Sequence, residues 1–369
     1  MGPRAFQINS SPDAAQGRVR VMIVDDSLTV RTVFSRMIGN DPKLELTTTA
    51  SNAERAIAIL RDRPVDVILL DLEMPGMGGL EALPRILEIA SGAQVLVVSS
   101  LTEDGAEHTL TALSMGAADT MPKPRPGQFD ESYRRALLAK IHALGGVEAD
   151  DVPGHPREGT IDHGAATAIS RSNAKQPEVL AIGGSTGAIQ GLNTILRSLP
   201  LSFDLPILVT QHLPASFISV FARQVEVVAA RRTVIAEDGV EIARGEIAIA
   251  TGHGHMMVER ARSRLVARVS NVPSRSGCLP SVDPMLTSVA ETFDGHALAV
   301  ILSGMGRDGA EGAARLAAAG GTVLAQDQES SAVWGMPGAA VKQGAVHACH
   351  PPEALAREIL EFAGAVAWK

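Results

Sequence analysis

Five polar residues in the first part of the chain each stand directly behind an apolar run. Asp25 and Asp26 follow VMIV, Asp71 follows VDVILL, Ser99 follows VLVV, and Lys123 lies in MPKP after AADTM. Carboxylates gathered at one point repel one another unless a divalent cation neutralises them, and an oxygen-only cluster suits Mg²⁺. A carboxylate, a metal ion, a hydroxyl and an ammonium that converge can bind and transfer a phosphoryl group. Singly, an Asp after a strand is equally well a helix cap or a turn residue. Five such positions in order, at the ends of four apolar runs, point to phosphoryl chemistry.

A second set lies further on. VLAIGG runs into Ser185-Thr186-Gly187, so Gly183, Ser185 and Gly187 satisfy G-x-S-x-G, whose glycines permit a tight turn that exposes the serine hydroxyl. A phosphate-binding glycine turn and a purely structural turn fit the same motif. LPILVT ends at Gln211-His212, where a histidine is placed to act as general base; a surface or capping histidine is the alternative. HALAVILS ends at GMGRDG, in which Asp308 either orients that imidazole or caps the next helix. A Ser-His-Asp triad accounts for all three together. Its chain order differs from the Ser…Asp…His order of α/β-hydrolases. His253 and His255 form an H-x-H without partners at zinc-like spacing, which favours a loop or rim role. Cys278 has no activating neighbour in sequence, and the methionines at 256–257 and 305–336 read as packing or loop residues.

The elements that must carry these residues follow from patterning. Short apolar runs alternate with helical patterns from Val21 to a last helix at about 129–142, which predicts a parallel sheet covered on both faces. Residues 144–177 are rich in Gly, Pro, Asp and Ser without apolar periodicity and read as a linker. A second α/β series starts at Glu178 with VLAIGG, LPILVT, GEIAIA, HALAVILS and GTVLA, interrupted by an antiparallel-looking patch, GHMMVERARSRLVARV. Residues 1–18 read as a disordered, polar leader. The expected class is α/β: two doubly wound parallel-sheet domains, one flavodoxin-like and one Rossmann-like, at 19–143 and 178–369.

Composition agrees. Of 369 residues, 45 % are apolar, 20 % charged and only 3 % aromatic, so the cores are built from Ala, Val, Leu and Ile. The net charge of -8 with no Lys/Arg block excludes a basic footprint for nucleic acid. Two cysteines give no disulfide framework. No apolar run reaches the roughly 18 residues that span a bilayer, and the leader lacks an apolar signal core. A cytoplasmic, non-membrane-inserted protein is expected.

VDDS, LLDLEMPG, VVSS and PKP resemble the receiver domain of response regulators. The resemblance implies a phosphoacceptor at Asp71, Mg²⁺ ligands at Asp25, Asp26 and Asp71, and a hydroxyl switch and lysine at Ser99 and Lys123. Gly78 departs from it, where many receivers carry Asp. IGGSTG, TQHLP, LPSVDPML, ILSGMGRDGA and WGMPGAA resemble the catalytic domain of chemotaxis protein-glutamate methylesterases. That implies Ser185 as nucleophile, His212 as base, Asp308 as orienting carboxylate, and Thr186 and Met305 as neighbours, with the Met305 N–H as an oxyanion donor. Ala188 replaces a common second glycine, and SRSGCL carries Arg275 but lacks the histidine often found there.

Together the resemblances imply a phosphorylation-activated hydrolase that demethylates glutamate methyl esters and deamidates glutamines. Its substrates would be methyl-accepting chemoreceptors and its phosphodonor a chemotaxis histidine kinase, with no cofactor for the esterase. Two rivals are a transcriptional regulator, which needs a recognition helix the sequence lacks, and a non-catalytic adaptor whose hydrolase-like half only docks partners.

Overall fold

The computed structural model describes residues 17–90, 92–100, 102–124, 129–146 and 175–364. The leader at 1–18 and the linker at 144–177 lie, apart from their edges, outside the described residues.

The first sheet contains β1 (Val19–Val24), β2 (Leu44–Ala50), β3 (Val67–Asp71), β4 (Gln94–Ser99) and β5 (Asp119–Pro122). Its order is β2-β1-β3-β4-β5 and every pairing is parallel. This is the flavodoxin-like winding, whose crevice opens at the carboxyl ends of the strands. Strand β3 is buried along its whole length, which is why it reads as an unbroken apolar run. The last helix of this half, α5 (Glu131–Leu144), starts two residues after the expected position. The cause is Asp130, whose carboxylate accepts the Tyr133 N–H and caps the helix.

The second sheet contains seven parallel strands: β6 (Leu180–Gly184), β7 (Ile207–Gln211), β8 (Thr233–Ile235), β10 (Ile247–Ile249), β13 (Leu298–Ile301), β14 (Thr322–Gln326) and β15 (Ala348–His350). Its order is β15-β14-β13-β6-β7-β10-β8. The first strand, β6, thus lies between β13 and β7, where the winding reverses and where ligands bind in such sheets. The antiparallel-looking patch forms β11 (His255–Ala261) and β12 (Arg264–Ser270), joined on one edge by β9 (Glu241–Ile242).

The two halves touch through helices. α4 (Glu103–Met115) of the first half packs on α6 (Ala188–Ser198) and α7 (Ala215–Ala229) of the second. One buried apolar cluster runs from Leu110 and Leu113 of α4 to Ile189, Phe217 and Phe221. The contact is also polar, through Asn193 to Ser114 and Arg223 to Glu107.

Gly183 shows how closely the site region is filled. A Cβ added there would stand 2.4 Å from Val282 Cγ1 at the start of α8 (Val282–Phe293). Gly183→Ala is therefore expected to lose about 1–3 kcal/mol through overpacking, seen as a lower thermal midpoint; an unchanged midpoint would contradict this.

Candidate active site and phosphoacceptor site

In the first half, the strand ends bring the predicted residues together. Asp25, Asp26 and Asp71 offer oxygens within 4.8 Å of one another. Lys123 Nζ lies 2.5 Å from Asp71 Oδ2 and 3.4 Å from Asp25 Oδ2. Asp25 and Asp71 are buried, Asp26 exposed. Burial raises the Asp71 carboxyl to about 6 against the pull of Lys123, and burial likewise raises Asp25. Asp25 Oδ2 is buried without a hydrogen-bond partner. An all-oxygen cluster in which one buried carboxylate oxygen has only the distant Lys123 ammonium for company suits a hard divalent cation. Ser99 is buried beside this cluster's strand end, with its hydroxyl 2.5 Å from Thr109 Oγ1 in α4. Ser100 instead reaches Glu73 Oε1, at 2.6 Å.

In the second half, Ser185 follows β6, His212 follows β7 and Asp308 follows β13, three adjacent strands. Gly187, at φ +77°, turns the chain into α6; a Cβ there would lie 2.5 Å from Ala332 Cβ. The His212 N–H donates to Gly184 O at 3.1 Å, and Gln211 Nε2 donates to Ser185 O at 2.8 Å, which ties the base's loop to the serine's. His212 Nε2 lies 2.8 Å from Asp308 Oδ2. Burial alone would lower His212, but Asp308 and Cys278 outweigh it and raise the imidazole to about 9. Burial opposes the Asp308 charge too, yet hydrogen bonds from His212, Ser281 and the Val282 N–H hold its carboxyl far below the usual range. Among the described residues, no hydrogen bond joins the Ser185 hydroxyl to His212, and the Met305 N–H has no acceptor. Met305 is 39 % exposed at the rim. Thr186 is buried, and its hydroxyl donates to Asp119 Oδ2 across the interface at 2.5 Å. The methyl of Ala188, where a glycine is common, fills the space left by Gly184, whose added Cβ would stand 2.4 Å away.

Sequence reasoning missed one neighbour. Cys278, read as having no activating group beside it, offers its sulfur within 4.8 Å of both His212 and Asp308. Sixty-six positions separate Cys278 from His212 (278 minus 212), so no local pattern signalled the contact. If Ser185 is the nucleophile, Cys278→Ala keeps turnover. Removing a group that holds His212 protonated lowers the imidazole's pKa, so the neutral base is available at lower pH. The acid limb of the pH–rate profile is expected to move down; loss of turnover would mark the thiol as a reacting group.

His253 and His255 diverge. His253 is exposed, 3.3 Å from Glu237, whereas His255 is buried and its Nδ1 accepts the Ser281 N–H at 3.0 Å. They share no ligand position.

Comparisons with known proteins identify the family. A model of the response regulator receiver domain matches residues 21–132, and one of the CheB methylesterase matches residues 180–359. A protein-glutamate methylesterase/protein-glutamine glutaminase 1 from Paramagnetospirillum magneticum is 38 % identical, covering 96 % of this chain and 98 % of its own. One of the same description from Rhodospirillum rubrum is also 38 % identical, over 94 % of this chain and 96 % of its own. The Thermotoga maritima CheB methylesterase catalytic domain superposes with a TM-score of 0.49 at 32 % identity, covering 50 % of this chain and 98 % of that one. The identity and the nearly complete mutual coverage place this chain in the protein-glutamate methylesterase/protein-glutamine glutaminase family.

Proposed function

We propose that the chain hydrolyses glutamate methyl esters, and deamidates glutamines, on methyl-accepting chemoreceptors, under control of phosphorylation at Asp71. The observation that carries the catalytic half is the His212–Asp308 pair at 2.8 Å, set on strands that flank the one bearing Ser185. In this reading residues 19–143 form the receiver, 178–369 the hydrolase and 144–177 the connection.

The chemistry follows from the geometry. With Nε2 held by Asp308, Nδ1 is the imidazole nitrogen left to take a proton. As the Ser185 oxygen bonds to the ester carbonyl carbon, its proton passes to His212, and Asp308 stabilises the imidazolium. The carbonyl electrons collapse back, the C–O bond breaks, and His212 returns the proton to the departing methanol. Water then attacks the acyl-serine, again giving its proton to His212; the bond to the Ser185 oxygen breaks, His212 returns the proton to that oxygen, and the receptor side chain is left as a glutamic acid, which ionises. An amide substrate follows the same path with ammonia departing. The Met305 N–H, without an acceptor among the described residues, would steady the oxyanion.

In the receiver half, Asp25, Asp26 and Asp71 would hold Mg²⁺, which when bound neutralises the phosphoryl and carboxylate charges. Lys123 pairs with the anion on Asp71. A receiver takes its phosphoryl group from a kinase, here a chemotaxis histidine kinase. Among the described residues no helix is long and apolar enough to cross a membrane, which fits a cytoplasmic enzyme acting on receptor tails.

Methanol released from methylated receptor membranes, and ammonia from receptors with glutamine at the same sites, tests this directly. The reading expects both. Folded protein that releases neither, with or without a phosphodonor, would leave the docking adaptor as the function.

A further inference from the structure

The sequence LPSVDPML matched the family without any of its residues being given a role. In the structure, this segment begins α8 at the back of the catalytic pair. Ser281 stands at the helix's N-cap position, yet its hydroxyl makes no cap bond to the helix. A serine there ordinarily accepts an N–H from the first turn. Here the Ser281 Oγ instead donates to Asp308 Oδ1 at 2.6 Å. The freed helix donors go to the same carboxylate: the Val282 N–H reaches Asp308 Oδ2 at 2.7 Å and the Asp283 N–H reaches Oδ1 at 3.5 Å. Asp308, remote in sequence, thus caps α8, where the helix dipole also favours its charge.

The rest of the motif braces this junction. Val282 fills the space that side chains on Gly183 and Gly309 would need. Asp283 Oδ1 accepts the Gly312 N–H at 2.8 Å and so ties α8 to α9 (Ala310–Ala318), which starts just after Asp308. Ser281 itself is held from behind. His255, 2 % exposed, accepts its main-chain N–H on Nδ1 at 3.0 Å. Burial lowers the His255 pKa, so the ring is neutral near pH 7 and that nitrogen keeps its lone pair. A continuous line of bonds therefore runs His255–Ser281–Asp308–His212.

We propose that Ser281, fixed by His255, is a positioning residue for the esterase: it holds the Asp308 carboxylate in the orientation from which Oδ2 aligns His212. The inference rests on the triad reading. A carboxylate with a single rotatable bond to its plane can swing between its two oxygens; a donor on Oδ1 reserves Oδ2 for the imidazole. The main-chain donors of α8 keep Asp308 charged without Ser281, but the close one, the Val282 N–H, falls on Oδ2 at 2.7 Å, and without Ser281 Oδ1 is left with only the Asp283 N–H at 3.5 Å.

The test uses the full chain and methanol release from methylated receptor membranes, normalised to the serines that react with a fluorophosphonate. Ser281→Ala is expected to lower kcat about tenfold to a hundredfold, as for loss of one charge-assisted hydrogen bond, with KM unchanged. Ser281→Thr, which keeps the hydroxyl, restores most of the rate. His255→Phe falls like Ser281→Ala, whereas His255→Gln, whose amide oxygen accepts the Ser281 N–H, retains most activity; this pair decides the matter if the buried site rejects threonine's methyl. Parental kcat in Ser281→Ala, or equal defects in all four variants with KM raised, overturns the proposal. If Ser185→Ala is inactive while Ser281→Ala is not, only this inference fails; an active Ser185→Ala removes the triad reading and this inference with it.

Discussion

Ser185→Ala is expected to reduce methanol release by about 10⁴-fold or more, the scale on which removal of a triad nucleophile acts. The loss appears in kcat, because the hydroxyl acts in the bond-making step. Asp308→Asn should fall nearly as far: an amide in place of the carboxylate no longer stabilises the imidazolium, and it disturbs the donors from Ser281 and Val282. Both variants should remain folded, since neither adds volume to the buried region. Methanol measured by coupled oxidation, with the thermal midpoint as control, checks this. A Ser185→Ala enzyme within tenfold of the parent would show that another group, Cys278 first among them, attacks the ester.

The second large effect concerns restraint by the receiver. Asp119 at the start of β5 accepts the Thr186 hydroxyl at 2.5 Å and is also paired with Lys140. The neighbouring Ala118 O accepts the Gly187 N–H at 2.6 Å. The two bonds fall on the two residues after Ser185, so the receiver grips that serine's own turn. Asp119→Ala removes a hydrogen bond to a charged group, so the docked state loses stability and the unphosphorylated basal rate should rise about tenfold. Stimulation by a phosphodonor shrinks in proportion, since less restraint is left to release. A folded Asp119→Ala chain with an unaltered basal rate and full stimulation would show that this contact plays no part in control.

Much of this was readable from the sequence because the relevant positions follow buried strands. VDVILL and VLAIGG are long apolar runs, and a residue directly behind such a strand has little choice of location. Asp71, Ser185 and His212 fell where the runs placed them, whereas Asp308 lies seven residues past the end of β13. Shorter or half-exposed strands gave no comparable signal. β8 and β15 are three residues each and only partly buried, and β9 has two. Side-chain pairings across long separations were also hidden. The Ser281–Asp308 bond spans 27 positions and the Asp119–Thr186 bond 67. Neither is a matter of periodicity; both depend on how the sheets and helices meet. Ser99 teaches the same lesson on a smaller scale. Its place at the end of β4 was evident, but its partner, Thr109, lies on the helix that follows and was fixed only by packing.

The most direct measurement of phosphorylation-gated hydrolysis is the rate of methanol release from methylated receptor membranes before and after adding a small phosphodonor with Mg²⁺, for the native chain and for Asp71→Asn. The native rate should rise on addition, while Asp71→Asn stays at its basal rate. A native rate indifferent to the phosphodonor, or an equal rise in Asp71→Asn, would contradict control through Asp71.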